Sequence, residues 1–439
     1  MNNLYREAWN SFVSSSDYLL LCGLYRKAID QMAKCHHPEY GLEVSLTGTY
    51  SHQLWLRDAG VGALGAQPGA IRQTVASFLK HQLASGEIPY RIERVHHVRR
   101  FWLTWTKKLG VDFITRQRPE PIFRKSRYAV AAADSVPILV MSYAQAYFPG
   151  RADEEIIAQL DRAVQFEERQ FFDDNLALFN FPPVSDWMDD ISVAGFRSFT
   201  NVLWWRAYAA MRKFHHGMVI TSQEKELISH HTEQAKIYRK KCFVLHGAIQ
   251  RHLVHTDGYV MAGMDDTRVD TAASIMYALF NPSQRSGRKT LAAISHLRTP
   301  SGFLRNFDRE YEPHQYRFWF RFFRFTEFAN KHVYPWHNHL ELMGRIRLMN
   351  LKSIEEVSET IALILRVAKA HQQNGDFHEV VTDDVGSPAF HTFLGMRVYN
   401  STAGFLASVG TWIAAMNALA ASFGESPEEF FGLSQPSAQ

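Results

Sequence analysis

The chain has 439 residues, of which 46% are hydrophobic and 21% charged, as is typical of a soluble globular protein with a large core. Its formal net charge of +4 is small for this length and argues against a nucleic-acid-binding protein. The apolar stretch DYLLLCGLY near the start is too short to span a bilayer, and Cys22, Cys35 and Cys242 match no zinc-ligand spacing. We therefore predict a cytoplasmic protein with no membrane segment, no metal and no cofactor.

Apolar residues recur at helical spacing along most of the long segments, whereas alternating strand patterns are scarce. No linker rich in Pro, Gly and Ser interrupts the chain, so we predict one all-α domain, 1–439. Helix pairs that arrive every several dozen residues suggest a toroid of helical hairpins. We expect residues 91–125 to form a basic loop insertion and residues 425–439 to form a flexible tail. The clearest helical segments are 129–147, 154–172, 198–214, 271–280, 354–373 and 401–423.

The stretch SDWMDD, residues 185–190, places three carboxylates around a tryptophan and a methionine. One reading is a solvated helix start, with Asp189 and Asp190 in the first turn, where the helix dipole favours negative charge. The other is a carboxylic acid whose pKa is raised by apolar neighbours and by the other carboxylates. The stretch alone leaves both readings open.

A second candidate carboxylate is Glu379 in GDFHEVV, which lies beside Phe377 and His378 and follows Gly375. It could be a salt-bridged loop residue or a general base. Hydrolysis of a glycosidic bond requires one carboxyl group to protonate the leaving oxygen and another to activate water or attack carbon. Asp189 or Asp190, together with Glu379, would meet that requirement.

Other loops carry side chains that suit sugar hydroxyls and rings. LWLRDAG and SGEIPYRI combine aromatic rings with Arg and carboxylate groups, although an internal ion pair or a structural turn explains each equally well. The short HNH spacing of YPWHNHLELMG favours hydroxyl binding or helix capping over a metal site. Arg317, Arg321 and Arg324 lie on one predicted helix face, either as a solvated edge or as an anion-binding wall.

Several classes of enzyme have no support in the sequence. There is no phosphate-binding Gly loop and no Gly-x-Ser-x-Gly elbow, and no signature accompanies a cysteine nucleophile.

In their order and spacing, these motifs resemble those of the six-hairpin (α/α)6-barrel glycosidases. The resemblance runs from about Tyr50 to Val409 and is closest to alkaline/neutral invertases, with features of glucoamylase-like and debranching α-glucosidases. It rests on LWLRDAG, SGEIPYRI, AADSVPILVMSYAQAY, DWMDD, MDDTRVDTAASIMYALF, YPWHNHLELMG, GDFHEVV and VYNSTAGFLASV. The arginine pair that follows the acid in invertases is missing here.

The resemblance implies an (α/α)6 toroid with a loop-built active-site cleft, Asp189 as general acid and Glu379 as general base. Either Asp189 or Asp190 could be the acid, since the two are adjacent. The substrate-binding residues that we predict are Trp55, Arg57, Asp58, Glu87, Tyr90, Arg91, Asp134, Asp186, Trp187, Asp190, Asp270, Trp336, His337, Asn338, Glu341 and Tyr399.

We therefore expect an inverting glycoside hydrolase that cleaves a short α-glucoside or sucrose-like disaccharide. Its only expected partners are that carbohydrate and, as a homo-oligomer, further copies of itself. A sugar epimerase on the same scaffold is the main alternative, because the histidines His337, His339, His378 and His391 could supply bases. A non-catalytic carbohydrate-binding protein is the third reading.

Overall fold

The computed structural model describes residues 15–45, 50, 52–94, 119–124, 132–147, 154–185, 187–188, 190–322, 328–351, 353–384, 386–393 and 396–433. Within these ranges the chain is mostly helical, as the apolar periodicity predicts. The helices are α1 (Ser16–Cys35), α2 (Leu56–Gly62), α3 (Pro68–Leu79), α4 (Ser135–Ala146), α5 (Glu154–Phe171), α6 (Ser198–Thr221), α7 (Lys225–His252), α8 (Thr271–Phe280), α9 (Gln284–Ala293), α10 (Phe318–Phe322), α11 (Phe328–Lys331), α12 (Pro335–Leu348), α13 (Ile354–Asn374), α14 (Leu406–Ser422) and α15 (Pro427–Phe430).

Short antiparallel strands, which the sequence did not predict, join the loops at the helix ends. They form the pairs β1–β2, β6–β7, β8–β9, β10–β11 and β12–β13 and the three-stranded sheet β3–β4–β5. The strands are β1 (His36–His37), β2 (Gly41–Leu42), β3 (Gln53–Trp55), β4 (Arg91–Glu93), β5 (Glu120–Ile122), β6 (Phe172–Asp173), β7 (Leu178–Phe179), β8 (Met261–Gly263), β9 (Asp266–Val269), β10 (His332–Val333), β11 (Val381–Thr382), β12 (Phe390–Phe393) and β13 (Met396–Asn400).

Six helices contact one another in a closed order. α2 packs on α4, α4 on α6, α6 on α8, α8 on α12, α12 on α14, and α14 returns to α2. A second set packs outside them: α1 on α14, α3 on α4, α5 on α4 and α6, α7 on α6, α9 on α8 and α12, and α13 on α12. Each helix of the second set precedes a helix of the first in the chain, so the two sets alternate as hairpins.

Burial follows this arrangement. α8, in the closed ring, buries eight consecutive residues, Thr271–Ala278, because neighbouring helices surround it. α7, outside the ring, has 28 residues but buries only His231, Tyr238, Leu245, Ala248 and Ile249. Helices buried on all sides read as continuously apolar, whereas outer helices need only one apolar stripe.

The ring closes where α14 meets α2, and glycines make this contact. A Cβ atom added at Gly410 would overlap the carbonyl oxygen of Gly62, and one added at Gly65 would overlap the carbonyl oxygen of Gly410. The two backbones therefore lie too close together for any side chain at these positions.

Two segment predictions need correction. The ends of the predicted insertion 91–125 are not loop but β4 and β5, which pair with β3, while residues 95–118 and 125 lie outside the described part. The prediction of a flexible tail is wrong for residues 427–433, because α15 lies there and Phe430 and Phe431 are buried. Residues 434–439 lie outside the described part.

No helix in the described part of the chain has the length and apolar character needed to cross a membrane.

Candidate active site

The candidate site is built from the first turns of the inner helices and the loops that precede them. Trp55 precedes α2, Asp134 precedes α4, Tyr334 precedes α12 and Phe405 precedes α14. Side chains join these helix starts directly: Arg57 of α2 binds Asp134, and the ring of Tyr50 contacts those of both Trp55 and Phe405. Residues from distant parts of the sequence thus meet at one end of the ring.

Glu379 lies in the loop after α13, which ends at Gly375 in a left-handed conformation with φ of 70°. Its side chain is buried, and its backbone N–H donates to the carbonyl of Thr402 at 2.9 Å. The Tyr50 hydroxyl donates to Glu379 Oε1, also at 2.9 Å. A fixed, buried carboxylate that accepts a hydrogen bond from a phenol is suited to act as a general base.

The acid loop, residues 185–190, runs between β7 and α6. Asp189, the predicted acid, and Asp186 lie outside the described residues. Their neighbours Trp187, Met188 and Asp190 are buried, which argues against a solvated helix start. Burial, and then the charge of Asp190, raises the pKa of the Tyr316 hydroxyl, so the Asp190 carboxylate lies near that phenol.

Trp187 sits in an aromatic cluster at the start of α12. Its ring meets Tyr334 and His337 edge-on, with ring centroids 5.3 and 4.7 Å apart, and also contacts Trp336 and Phe199. The structure therefore brings together three predicted substrate-binding residues: Trp187, Trp336 and His337. All three are buried, so the cluster anchors the acid loop.

Arg57 and Asp134 form an ion pair beneath the acid loop. Arg57 Nε donates to Asp134 Oδ2 at 2.6 Å, and Arg57 Nη1 donates to the carbonyl of Trp187 at 2.8 Å. The Asp134 side chain is buried, and that of Arg57 is nearly so. Asp58 follows in the first turn of α2 and is partly exposed.

Trp55, Tyr90 and Arg91 form a second aromatic group, and Tyr50 links it to Glu379. The rings of Trp55 and Tyr90 meet edge-on at 5.6 Å, and the Arg91 guanidinium lies over both rings, 5.0 Å from the Trp55 centroid. Arg91 also pairs with Glu93 at 2.7 Å. The antiparallel pairing of Trp55 with Arg91 in β3 and β4 explains this proximity.

Other predicted substrate-binding residues have structural roles. Glu87 pairs with Arg124, and Asp270 caps α8 by accepting a hydrogen bond from the Ala273 N–H. The amide of Asn338 bonds the backbone of Leu304 and Tyr334. Glu341 is buried between Arg298 and Arg345, so the structure does not support sugar binding there. The backbone of Tyr399 lies in β13, and its side chain lies outside the described part.

The histidines that could serve an epimerase are mostly core residues. His339 Nε2 lies 2.8 Å from His371 Nε2, and its Nδ1 bonds Thr411, in the buried contact between α12, α13 and α14. Burial lowers the pKa of His337, His339 and His378, and it lowers that of His371 to about 3. Neutral, enclosed imidazoles of this kind are poor candidates for a substrate-facing base.

A buried carboxyl lies behind the Arg57–Asp134 pair. Glu167 of α5 is fully buried, and among the described residues no group hydrogen-bonds to its Oε2. Burial, followed by the charges of Glu87 and Asp134, raises its pKa well above 4.5, although Arg124 opposes the shift. Burial therefore favours the neutral form of this carboxyl group.

Within the described residues, the predicted arginine stripe adjoins the acid loop at its start. The Arg317 N–H donates to the carbonyl of Asp190 at 3.0 Å, Arg321 lies in α10, and Arg324 is outside the described residues.

Sequence reasoning missed Tyr50, Tyr334 and Glu167. Tyr50 reaches Glu379 across 329 residues, and a local motif does not reveal which distant residue a side chain will contact. Within the described ranges, no group of three or more His, Cys, Asp and Glu side chains could hold a metal ion.

No family model matches this chain, and no curated protein matches it in sequence. Several solved structures are similar to it in fold. A glycosidase variant superposes with a TM-score of 0.62 at 14% identity, over 96% of this chain and 99% of that one. A glycosidase in complex with glucose gives 0.62 at 13% identity, over 96% and 99%.

A third similar structure is a GH63 mannosylglycerate hydrolase from Thermus thermophilus in complex with glucose. It gives a TM-score of 0.55 at 12% identity, over 89% of this chain and 99% of that one. Identities this low show the fold alone. The superpositions cover nearly the whole length of both chains. The chain therefore has the fold of these glycosidases.

Proposed function

We propose that this protein is an inverting glycoside hydrolase that cleaves a short α-glucoside or sucrose-like disaccharide. The closed ring of helices would be an (α/α)6 toroid forming one catalytic domain. The observation that carries the proposal is Glu379, a buried carboxylate held by Tyr50 at the end of the ring where the inner helices begin. The fold shared with glycosidases supports the same function.

In this proposal Glu379 removes a proton from the attacking water while Asp189 protonates the leaving oxygen. Water enters from the face opposite the leaving group, so the anomeric configuration inverts. Two carboxyl groups that work this way stand about 6.5–9.5 Å apart, which leaves room for the water. Tyr50 keeps the Glu379 carboxylate oriented, and Trp55, Tyr90 and Arg91 border the space where the sugar ring would lie.

We favour the hydrolase over the epimerase because a carboxylate is a better candidate for the base than the histidines are. Glu379 bonds Tyr50, whose ring contacts Trp55, whereas His339 and His371 bond each other inside the helix packing. The alternative of a binding protein predicts no turnover at all, so activity separates it from both.

The test is hydrolysis of sucrose, trehalose, maltose, isomaltose and mannosylglycerate, followed by NMR of the first-formed anomer. Mannosylglycerate is included because one structurally similar hydrolase is named for it. We expect release of an inverted sugar from one of the five, and a loss of about 10²-fold or more in kcat for Glu379→Gln. Glu355→Gln, an exposed glutamate on α13, is the control and should retain full activity.

Asp189→Asn and Asp190→Asn distinguish the two candidates for the acid. We expect Asp189→Asn to be inactive and Asp190→Asn to be active; the reverse moves the acid by one residue. Full activity of Glu379→Gln, or a retained anomer, would overturn the mechanism. Ketose–aldose interconversion without hydrolysis would instead support an epimerase.

A further inference from the structure

We propose that Arg57 is a positioning residue that, together with Asp134, fixes the backbone of the acid loop instead of binding the sugar. The inference rests on the proposed function, because the acid loop matters for catalysis only if it carries the general acid. It changes the role that the motif LWLRDAG suggests for its arginine.

The Arg57 guanidinium directs its hydrogen bonds to protein groups. Nε donates to Asp134 Oδ2 and Nη1 donates to the Trp187 carbonyl, so two edges of the guanidinium face protein groups. The Trp187 carbonyl is two residues before Asp189. Arg57 therefore links the start of α4 to the backbone next to the proposed acid.

The segment just before α4 also holds the acid loop at a second point. The Ala133 N–H donates to the carbonyl of Ser185 at 2.9 Å. Residues 133 and 134 thus hold the loop at Ser185 directly and at Trp187 through Arg57. Beyond the acid, the Asp190 carbonyl accepts a hydrogen bond from the Arg317 N–H, so the backbone is fixed on both sides of residue 189.

Loss of either member of the Arg57–Asp134 ion pair would leave a buried charge without its partner. Asp134 is 1% exposed in its side chain and Arg57 is 13% exposed. A buried carboxylate left without its arginine is strongly disfavoured, so the loop would have to rearrange around it. Among the described charged groups near the pair are Glu167, whose pKa the charge of Asp134 raises, and the Glu87–Arg124 ion pair.

Catalysis and binding should respond differently to this arrangement. A displacement of about 1 Å at a catalytic group can cost about 10²-fold in rate, even when substrate contacts are intact. If Arg57 positions the loop, Arg57→Gln and Arg57→Lys should lower kcat by about that factor and leave KM within about threefold. If Arg57 binds the sugar, KM should rise in both variants.

A double-variant cycle adds a second readout. Arg57 and Asp134 act as a unit in this proposal, so Arg57→Gln/Asp134→Asn should lose no more than about threefold beyond the worse single variant. The matched control is Arg298→Lys, which weakens another buried arginine–carboxylate pair; Arg298 bonds Glu341 and the carbonyl of Gly302. It should lower thermal stability and leave kcat unchanged.

Hydrogen exchange of the peptide covering 185–190 tests the positioning without relying on activity. Arg57→Gln should speed exchange in that peptide, whereas Arg298→Lys should not. Unchanged exchange in Arg57→Gln, or a raised KM with an intact kcat, would overturn the proposal even if the wild type is a hydrolase. If Arg57→Gln speeds exchange but the wild-type protein hydrolyses no glycoside, the proposed function is overturned and the positioning role stands.

Discussion

Glu167 shows how burial controls protonation in this protein. Its raised pKa means that the folded chain keeps a proton that the unfolded chain releases above pH 4.5, its ordinary value. The proton that the folded chain keeps on Glu167 stabilises the fold at low pH. This stabilisation is fully present below pH 4.5 and is lost as the pH rises towards the raised pKa of Glu167.

We expect Glu167→Gln to abolish the loss of stability that accompanies rising pH. The free energy of unfolding of the wild type should fall relative to the variant as pH rises from 4.5 towards the raised pKa, because glutamine carries no titrating proton. Urea titrations across that range measure the difference. Glu355→Gln, at an exposed site, should follow the wild-type slope, and parallel curves for wild type and Glu167→Gln would contradict the prediction.

Glu341 is the opposite case, a buried carboxylate with strong partners. Burial by itself would raise its pKa, but Arg298 and Arg345 outweigh that effect and hold the pKa below its ordinary value. Removing one member of a buried ion pair leaves an uncompensated charge and typically costs about 3–5 kcal/mol. We expect Glu341→Gln to lower the free energy of unfolding by about 3 kcal/mol and to leave KM unchanged, because no sugar contact is lost. A raised KM with unchanged stability would restore Glu341 to the binding site.

Tyr50 gives a residue-scale test of the base. Its hydroxyl stabilises the ionised form of Glu379 through the 2.9 Å hydrogen bond. In Tyr50→Phe, the acidic limb of the kcat/KM profile should move to higher pH, because the carboxylate loses a donor. The alkaline limb should stay in place. If the acidic limb does not move, Glu379 is not the group that this limb reports.

At the scale of elements, α2 and α14 contact each other through their backbones at glycines. Gly410→Ala would drive a methyl group into the Gly62 carbonyl, so the helices must separate. We expect a loss of about 1–3 kcal/mol in the free energy of unfolding, as for other overpacked contacts.

Gly23→Ala is the matched control for this substitution. Gly23 lies in α1, and an added Cβ meets nothing within 4 Å. The change should stabilise the protein by about 0.5–1 kcal/mol, because alanine favours the helix. Thermal unfolding of both variants measures the contrast. Equal stability of Gly410→Ala and wild type would show that the helices do not meet as closely as described.

At the scale of the whole molecule, the C-terminal segment packs against the first helix. The ring of Phe431 stacks on Tyr25 of α1 with centroids 4.3 Å apart, and Phe430 contacts Tyr18. The two ends of the described chain thus share one core.

We expect Phe431→Ala to cost about 3–5 kcal/mol, as is typical when a buried aromatic side chain is removed. Phe243→Ala is the control, because Phe243 is 80% exposed on α7 and should change stability little. Denaturant unfolding compares the two. A Phe431→Ala variant as stable as the control would mean that residues 427–433 contribute nothing to the core.

Helix positions were predictable where burial is continuous, as in 271–280, which matches α8 residue for residue. α7 was missed, because a 28-residue helix that buries five residues carries a weak apolar signal. Among site residues, Glu379 and the acid loop were identifiable from carboxylates beside apolar neighbours. The structural roles of Glu341 and Asp270 were not, since an ion-paired or capping carboxylate has the same local sequence as a sugar ligand.

The sequence by itself determined the helical character of the chain and the candidate carboxylates, because apolar periodicity and local motifs are properties of neighbouring residues. Only the tertiary structure decided which groups meet. Arg57 and Asp134 are 77 residues apart, Tyr50 and Glu379 are 329 apart, and the helices between them set both contacts by packing into a closed order. Long-range contacts depend on the packed position of every intervening helix, and no short stretch of sequence encodes that position.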